Sequence, residues 1–312
     1  MKPEILLMGP MYQPTMESLE SAFTVHQVSK APDRDAFLAS LADRVTAAAT
    51  TAFRGMDAAT MAKLPKLKLV SHFGVGVDSV DVEAATKRGI KVTNTPDVLT
   101  DDVADLTIGL LLAAVRRIPQ GDRYVREGKW AEKTFPLTDT IQKKTLGIVG
   151  LGRIGRAIAK RAQAFNLKIA YQGPNRKTDV SWPHFADPVA LAREADFLVA
   201  ACPGGEATRG IVSRAVLEAL GPQGVFVNIS RGSCVDERAM IELLREGKLG
   251  GAGLDVYDNE PRIDPAFFAL DNVVLQPHVG SATHVTRRAM GQLVVDNLAA
   301  HFAGRPLLTP YN

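Results

Sequence analysis

Short apolar runs alternate with amphipathic stretches along the first third of the chain. Helical spacing at residues 33–44 and 80–89 indicates two helices, and Gly89 ends the second of them. A longer helical run, residues 101–117, begins with two aspartates and ends with two arginines before Pro119, the arrangement that a helix dipole favours. The apolar runs predict strands at residues 4–8, 44–50, 67–72 and 90–94.

A second alternating series follows, and its strands are near-continuous apolar runs, as expected for parallel strands covered on both faces. The last helical stretch, residues 282–302, is long. Two successive series of this kind predict an α/β fold with two doubly wound, Rossmann-like domains. The strands are expected at residues 145–150, 168–172, 196–202, 224–230, 251–256 and 272–277, with helices at 153–165, 187–195, 213–220 and 236–246.

Composition narrows the class of protein without identifying a partner. The 312 residues suffice for two domains, and 46% apolar with 23% charged residues is typical of a folded protein. A net charge of +3 gives no reason to expect nucleic acid or a membrane surface. No metal site is predicted, because Cys202 and Cys234 are isolated. Two cysteines, no signal peptide and no span-length apolar run predict a cytoplasmic protein.

A glycine-rich turn occupies the start of the second series. Gly150, Gly152 and Gly155 follow a predicted strand and open a predicted helix, the context in which G-x-G-x-x-G indicates dinucleotide binding. The three glycines would provide a tight turn, backbone approach to a pyrophosphate and close helix–strand packing. A merely tight turn and a methyltransferase cofactor loop are the alternatives.

The next strand ends without the carboxylate that would bind the ribose 2′-hydroxyl of NAD. Gln172 stands near that place, and Asn175, Arg176 and Lys177 follow it. Arginine and lysine suit a 2′-phosphate, so the loop favours NADP(H), with NAD(H) as a second possibility. Asp179 lies beyond the turn. The alternative is an ordinary solvated basic loop.

Five stretches carry a family resemblance: "VSHFGVGVDSVD", "TPDVLTDDVADLTIGLLLA", "TLGIVGLGRIGRAIAKRAQAF", "VNISRGSCVDERAMIELLREGKLGGAGLDVYDNEP" and "VVLQPHVGSAT". From about residue 64 onward the chain resembles the D-isomer-specific 2-hydroxyacid dehydrogenases, and within them the glyoxylate/hydroxypyruvate reductases. The resemblance implies a substrate domain of residues 1–98 plus 284–312 and an inserted cofactor domain of residues 99–283. It also implies a homodimer and a cleft that closes on binding.

The resemblance assigns roles to three residues. Arg231 would bind the substrate carboxylate and carbonyl, His278 would be the acid/base, and Glu260 would pair with that histidine. Their chemistry suits the reduction of a 2-oxo acid, because histidine exchanges protons near neutral pH and arginine polarises a carbonyl. His72, His184, His284 and His301 are expected to be structural.

The resemblance implies further contacts on both sides of the reaction. For the substrate carboxylate, these are Val75 and Gly76, which would bind it through backbone N–H groups; a plain tight turn at Gly74 and Gly76 is the alternative. Leu99 and Trp130 are candidates for the pocket that holds the substrate side chain. Trp130 is a candidate to come from a partner subunit. The implied cofactor contacts beyond the motif glycines and the basic loop are Leu151, Arg153, Ile154, Cys202, Pro203, Thr208, Ile229, Ser230, Asp255 and Gly280.

The sequence therefore predicts an NADPH-preferring enzyme that reduces glyoxylate, hydroxypyruvate or a close relative to the 2-hydroxy acid, with the D configuration where the product is chiral. One alternative is an NAD-dependent D-2-hydroxyacid dehydrogenase that acts on phenylpyruvate or a sugar acid. The other is a non-enzymatic dinucleotide sensor, which the joint presence of Arg231, Glu260 and His278 disfavours.

Overall fold

The computed structural model describes residues 2–312, which divide into two compact units. Unit 1 contains the chain up to Leu99 together with Ser281–Asn312, and unit 2 is the segment Thr100–Gly280. In chain order, therefore, unit 2 is inserted into unit 1. Each unit is an α/β structure around a single parallel sheet, as the alternating pattern predicts.

Unit 1 has a five-stranded parallel sheet in the order β2-β1-β3-β4-β5. The predicted strands are all present, and β2 is an additional edge strand that the apolar pattern does not reveal, because it is polar. The elements of the first segment are β1 (Glu4–Leu7), α1 (Gln13–Ala22), β2 (Thr24–Gln27), α2 (Arg34–Leu41), β3 (Ala47–Thr51), α3 (Ala58–Ala62), β4 (Leu69–Phe73), α4 (Val82–Lys87) and β5 (Lys91–Thr93).

The core of unit 1 lies where these strands meet their helices, and Leu6, Ala48 and Val70 from the three central strands are fully buried in it. Aspartates fix the helix starts. Asp33 accepts hydrogen bonds from two N–H groups of the first turn of α2, and Asp81 accepts one from Ala84 at α4. Such caps satisfy donors that a helix terminus otherwise leaves unpaired.

Unit 2 has a seven-stranded parallel sheet in the order β12-β11-β10-β9-β6-β7-β8. Its last strand, β8, was not predicted, since it has only two half-buried residues. The elements are α5 (Thr100–Val115), α6 (Ile118–Arg126), β6 (Thr145–Val149), α7 (Arg153–Ala164), β7 (Lys168–Gln172), β8 (His184–Phe185), α8 (Pro188–Glu194), β9 (Phe197–Ala200), α9 (Arg214–Leu220), β10 (Val225–Asn228), α10 (Glu237–Arg245), β11 (Gly251–Leu254) and β12 (Val273–Leu275).

The long predicted helix at residues 101–117 is shorter in the structure and is followed by a second helix. Helix α5 ends at Val115, Arg117 takes a left-handed conformation with φ of 51°, and α6 begins at Ile118. Pro119 in the first turn of α6 suits a helix start but not a helix interior. The arginines expected to close the helix therefore lie in the break between two helices.

The chain returns to unit 1 through α11 (His284–Phe302), which packs against α1 and β4. A Cβ at Gly291 would lie 1.9 Å from Thr15 Oγ1, so the two helices can approach this closely only at a glycine. Within residues 2–312, none of the helices combines the length and hydropathy that a membrane span requires.

The sheet order of unit 2 reverses direction at β6, which pairs with β7 on one side and β9 on the other. In open α/β sheets, ligands bind beyond the carboxyl ends of the strands at such a point. The turn after β6 and the loops after β9 to β12 therefore form the edge at which a site is expected.

Candidate active site

The glycine turn after β6 requires glycine at two positions for steric reasons. Gly150 has φ of 96°, and a Cβ there would lie 2.7 Å from the Cα and N atoms of Cys202. A Cβ at Gly155 would lie 2.3 Å from the Gly150 carbonyl oxygen. The turn is therefore as tight as the motif predicts, with α7 beginning directly on it.

Gly152 has a different environment, which fits a bound phosphate group. Nothing in the protein lies within 4 Å of a Cβ placed on Gly152, so the space in front of α7 is open. Gly152 is also the N-cap of α7, and because glycine has no side chain, the first helical N–H groups receive no side-chain cap from this position. These N–H groups and the positive end of the helix dipole suit the pyrophosphate of a dinucleotide.

The loop after β7 contains the predicted 2′-phosphate residues, and Asn175, Arg176 and Lys177 are all exposed there. Gln172 is buried instead, and its Nε2 donates to the Ala186 carbonyl over 3.2 Å. Its carbonyl accepts the Gly150 N–H at 3.0 Å, which ties the loop to the glycine turn.

The acidic residue of this region, Asp179, is held by the dinucleotide helix. Arg156 of α7 places Nη1 2.8 Å from Asp179 Oδ2 and Nη2 3.0 Å from Oδ1. The hydrogen bond from Arg156 lowers the pKa of the Asp179 carboxyl. Asp179 is thus engaged by α7.

The loop after β9 contains three more of the predicted cofactor residues. Cys202 is buried, and Thr208 Oγ1 donates to the Pro203 carbonyl over 2.6 Å. The neighbouring Cys234 thiol and burial raise the pKa of the Cys202 thiol. Both cysteines are free and buried, Cys202 in the loop after β9 and Cys234 in the loop after β10.

Arg231 follows β10 in a loop that Asn228 organises. Asn228 is fully buried; its Nδ2 donates to the Arg231 carbonyl at 3.0 Å, and its Oδ1 accepts from Ser230 N and Oγ at 3.1 Å each. Arg231 Nη1 donates to the Ser230 carbonyl at 2.7 Å. A Cβ at Gly232 would lie 1.9 Å from the Tyr257 carbonyl carbon, so this loop packs directly on the loop that follows β11.

Glu260 and His278 are in contact. His278 Nδ1 lies 2.6 Å from Glu260 Oε2, while Glu260 Oε1 accepts the Tyr257 N–H at 2.8 Å. Both side chains are largely buried, with 26% and 16% of their surface exposed for His278 and Glu260. Because a carboxylate accepts, Nδ1 carries the proton in this contact.

His278 has an unusual backbone conformation that its neighbours maintain. Its φ is 54°, in the left-handed region that few non-glycine residues occupy. The next two N–H groups, of Val279 and Gly280, donate to the two carboxylate oxygens of Asp255 at 2.7 and 2.8 Å. Burial raises the pKa of Asp255. In this structure Asp255 holds the His278 loop, a role that its prediction as a cofactor contact did not include.

Tyr257 fixes the spacing of the two strands that carry this pair. Its hydroxyl lies 2.9 Å from the Gln276 carbonyl and 3.1 Å from the Leu254 carbonyl, and it accepts the Gln276 N–H at 3.1 Å. Burial raises the pKa of this hydroxyl, which therefore stays protonated. β11 and β12 are thus joined beyond the last paired residue of the ladder.

Comparison with known proteins identifies the family of this chain. The family model for the NAD-binding domain of D-isomer-specific 2-hydroxyacid dehydrogenases matches residues 108–280. Glyoxylate/hydroxypyruvate reductase A of Arabidopsis thaliana is 49% identical over 306 residues, which cover 98% of each chain. The chain belongs to the D-isomer-specific 2-hydroxyacid dehydrogenases. It is therefore an oxidoreductase that acts on CH–OH groups, as the sequence predicts.

Two further members of the family are similar over the whole chain. Hydroxyphenylpyruvate reductase of Plectranthus scutellarioides is 48% identical and is covered, like this chain, to 98%. The structure of an NADPH-dependent glyoxylate/hydroxypyruvate reductase from Sinorhizobium meliloti, in complex with NADP and malonate, superposes with a TM-score of 0.92 at 41% identity and covers 99% of this chain and 97% of that one.

Within this 2-hydroxyacid dehydrogenase, the predicted cofactor residues lie on the glycine turn and the strand-end loops of unit 2. The predicted substrate residues are more scattered. Val75 and Gly76 follow β4 in unit 1, where Asn94 Nδ2 donates to the Val75 carbonyl at 2.8 Å, and Leu99 is buried at the end of that unit. Trp130 is 67% exposed on a short 3-10 helix of unit 2. The substrate roles of these four residues remain predictions.

Two residues of this dehydrogenase were missed by the sequence analysis, Asn228 and Tyr257. Both hold the loops that carry the predicted catalytic residues. Asn228 had a recognisable signal, since it is a polar residue inside the apolar run 224–230 and buried polar groups are normally hydrogen-bonded. Tyr257 had none, because a tyrosine beside a strand is most often a packing residue.

Proposed function

We propose that this enzyme uses NADPH to reduce glyoxylate, hydroxypyruvate or a closely related 2-oxo acid to the 2-hydroxy acid, with the D configuration where the product is chiral. The observation that carries the proposal is the 2.6 Å contact between His278 Nδ1 and Glu260 Oε2. It fixes an imidazole whose second nitrogen can protonate a carbonyl oxygen. The nicotinamide, when bound, supplies the hydride that the carbonyl carbon accepts.

His278 provides the proton in this scheme. Nε2 of the imidazolium donates to the carbonyl oxygen as that oxygen gains negative charge, and the reverse transfer accompanies oxidation. Glu260 stabilises the imidazolium through Nδ1 and keeps the ring in one orientation. Asp255 contributes indirectly, because it holds the backbone on the carboxyl side of His278.

Arg231 supplies the positive charge that a 2-oxo acid requires. Its guanidinium is permanently charged and offers several donors in a fixed geometry, which suits a carboxylate beside a carbonyl. The Asn228 hydrogen bonds hold the Arg231 backbone, which lowers the conformational entropy that this loop would lose when the substrate binds. Val75 and Gly76 keep their predicted role as backbone N–H donors to a substrate carboxylate.

The residues around the glycine turn would hold the dinucleotide. The N-terminus of α7 suits the pyrophosphate, and Asn175, Arg176 and Lys177 suit a 2′-phosphate. The pairing of Asp179 with Arg156 supports the preference for NADPH. Because Asp179 is occupied by Arg156 and β7 ends without an acid, the end of β7 has no free carboxylate that would bind a ribose 2′-hydroxyl or repel a 2′-phosphate.

Initial-rate kinetics with a substrate panel test the proposal. NADPH and NADH oxidation would be followed with glyoxylate, hydroxypyruvate, pyruvate, phenylpyruvate and hydroxyphenylpyruvate. We expect kcat/KM to be highest for one of the first two acids with NADPH. His278→Ala should lower kcat on the order of 10²- to 10⁴-fold while NADPH binding is retained. Unchanged activity in His278→Ala would remove the acid/base assignment.

One second candidate has a specific observation in its favour. The hydroxyphenylpyruvate reductase is 48% identical, almost as similar as the glyoxylate/hydroxypyruvate reductase at 49%. The same His278, Glu260 and Arg231 would reduce an aromatic 2-oxo acid. The panel separates the two, since a preference for hydroxyphenylpyruvate over hydroxypyruvate would select the aromatic substrate.

We also propose a homodimer in which the region after α5 forms the interface. Large apolar side chains are exposed there: Ile118, Val125 and Trp130 by more than half, and Leu137 by 99%. Exposed apolar side chains grouped in one region of a chain often mark a protein contact. Light scattering of the wild type and Trp130→Ala tests this. A monomeric wild type would contradict the proposal, and unchanged kinetics for every oxo acid in Trp130→Ala would remove its substrate role.

A further inference from the structure

The loop at residues 173–179 has no regular secondary structure, although it carries the side chains proposed to bind the 2′-phosphate. Asn175, Arg176 and Lys177 are exposed, and within residues 2–312 their side chains make no hydrogen bond to the protein. A loop of this kind loses conformational entropy on binding unless the fold already holds it. Contacts from neighbouring residues that hold the backbone of this loop would therefore favour binding of the phosphate.

The β7 side of the loop is held by two ring side chains. Tyr171, only 1% exposed, accepts the Lys177 N–H on its hydroxyl at 2.7 Å. His184 of β8 lies 2.8 Å from the Gly173 carbonyl through Nε2, which must donate because a carbonyl only accepts. The two rings are in contact, with centroids 5.1 Å apart. Both ends of the basic segment are thus tied to the edge of the sheet.

The α7 side of the loop is held by an ion pair. Asp179 is the sole acid of residues 173–179, and Arg156 binds both of its carboxylate oxygens, at 2.8 and 3.0 Å. The bidentate geometry fixes direction as well as distance. It also balances a negative charge two residues beyond Lys177 that would otherwise act against a bound phosphate.

We propose that Tyr171 and Arg156 are positioning residues that give this enzyme its selectivity for the 2′-phosphate of NADPH. Tyr171 fixes the backbone at Lys177, and Arg156 holds and neutralises Asp179. The inference rests on the proposed NADPH preference and deepens it. Both residues act on the loop, and the groups that receive the phosphate remain those of Asn175, Arg176 and Lys177.

Tyr171→Phe is the sharper of the two tests, because it removes one oxygen and keeps the buried ring. Calorimetry would measure binding of 2′,5′-ADP, which has the 2′-phosphate, and of 5′-AMP, which lacks it. We expect binding of 2′,5′-ADP and NADPH to weaken about threefold to tenfold, the range for one hydrogen bond, with 5′-AMP and NADH changed less than about twofold. Equal changes for both ligands, or none, would overturn the role of Tyr171.

A double-variant cycle tests Arg156. Arg156→Ala should weaken 2′,5′-ADP binding about threefold to tenfold, as expected for a partly exposed charge set free near a phosphate. Adding Asp179→Asn should restore binding to within about twofold of wild type. Arg161→Ala is the matched control, since Arg161 is on the same helix but pairs with Asp101 and Asp105. If the double variant binds as weakly as Arg156→Ala, the charge-balancing role is wrong.

The wild type separates failure of this inference from failure of the proposed function. If the wild type binds 2′,5′-ADP no better than 5′-AMP, the NADPH preference itself is wrong, and the inference with it. If the wild type prefers 2′,5′-ADP but both variants keep that preference, only the positioning role fails. Thermal unfolding of each variant verifies that it is folded, and the ratio of the two ligand affinities is independent of a general loss of stability.

Discussion

His278 Nδ1 and Glu260 Oε2 are 2.6 Å apart, although 18 positions separate the residues in sequence. The two lie beyond β12 and β11, which are neighbours in the sheet. Glu260 Oε1 is occupied by the Tyr257 N–H. One oxygen of the Glu260 carboxylate therefore holds the imidazole and the other holds the loop that carries Glu260. A substitution that changes only one of these oxygens can test the two roles separately.

Glu260→Gln should impair catalysis with little effect on folding. The amide oxygen can still accept the Tyr257 N–H, but the amide NH₂ would face Nδ1 and favour the tautomer with its proton on Nε2. We expect kcat to fall on the order of 10²- to 10⁴-fold, the range for loss of acid–base catalysis. Steady-state kinetics and calorimetry with NADPH would measure this. A kcat within about twofold of wild type would contradict the pairing role.

Arg231→Ala should reduce kcat/KM for the oxo acid about tenfold to two-hundredfold, equivalent to about 1.5–3 kcal/mol for a hydrogen bond to a charged group. Arg231→Lys should recover only part of the loss, because lysine keeps the charge without the planar fork. NADPH affinity is the control and should change less than about twofold. Equal activity of the lysine variant and wild type would show that charge alone is required.

Arg176→Ala should weaken NADPH binding roughly tenfold to a few hundredfold and leave NADH nearly unchanged, since only NADPH has the 2′-phosphate. Arg193→Ala is a suitable control, because Arg193 is an exposed arginine on α8 outside the loop. Dissociation constants from fluorescence or calorimetry would measure both. Equal loss for the two cofactors would contradict phosphate recognition by Arg176.

His301 should make unfolding sensitive to acid. Burial lowers its pKa below the ordinary value of 6.5, so below that pH the unfolded chain binds a proton that the folded protein does not. The free energy of unfolding should therefore fall as the pH drops from 6.5 through the lower pKa of the folded state. In His301→Gln this part of the loss should disappear. Urea unfolding at pH 5 and pH 8 would compare the two proteins, and an identical loss would contradict the assignment.

Much of the fold was predictable because parallel strands in this protein are almost wholly apolar. All ten strands predicted from apolar runs are present, including 168–172 at its observed bounds. The edge strands β2 and β8 were not predicted, because an edge strand is partly exposed and need not be apolar. The α5–α6 break was also missed, since it depends on the left-handed backbone of Arg117.

The sequence by itself determined the α/β class, the glycine turn and the absence of an acid at the end of β7, because each is a local pattern of residue types. Arg231, Glu260 and His278 were predicted from the family resemblance. Only the tertiary structure decided that Asp255 holds the N–H groups after His278, that Tyr257 joins β11 to β12 and that Arg156 holds Asp179. These contacts join residues 19 to 25 positions apart. Their partners are set by strand order and loop packing, which no local pattern of residues encodes.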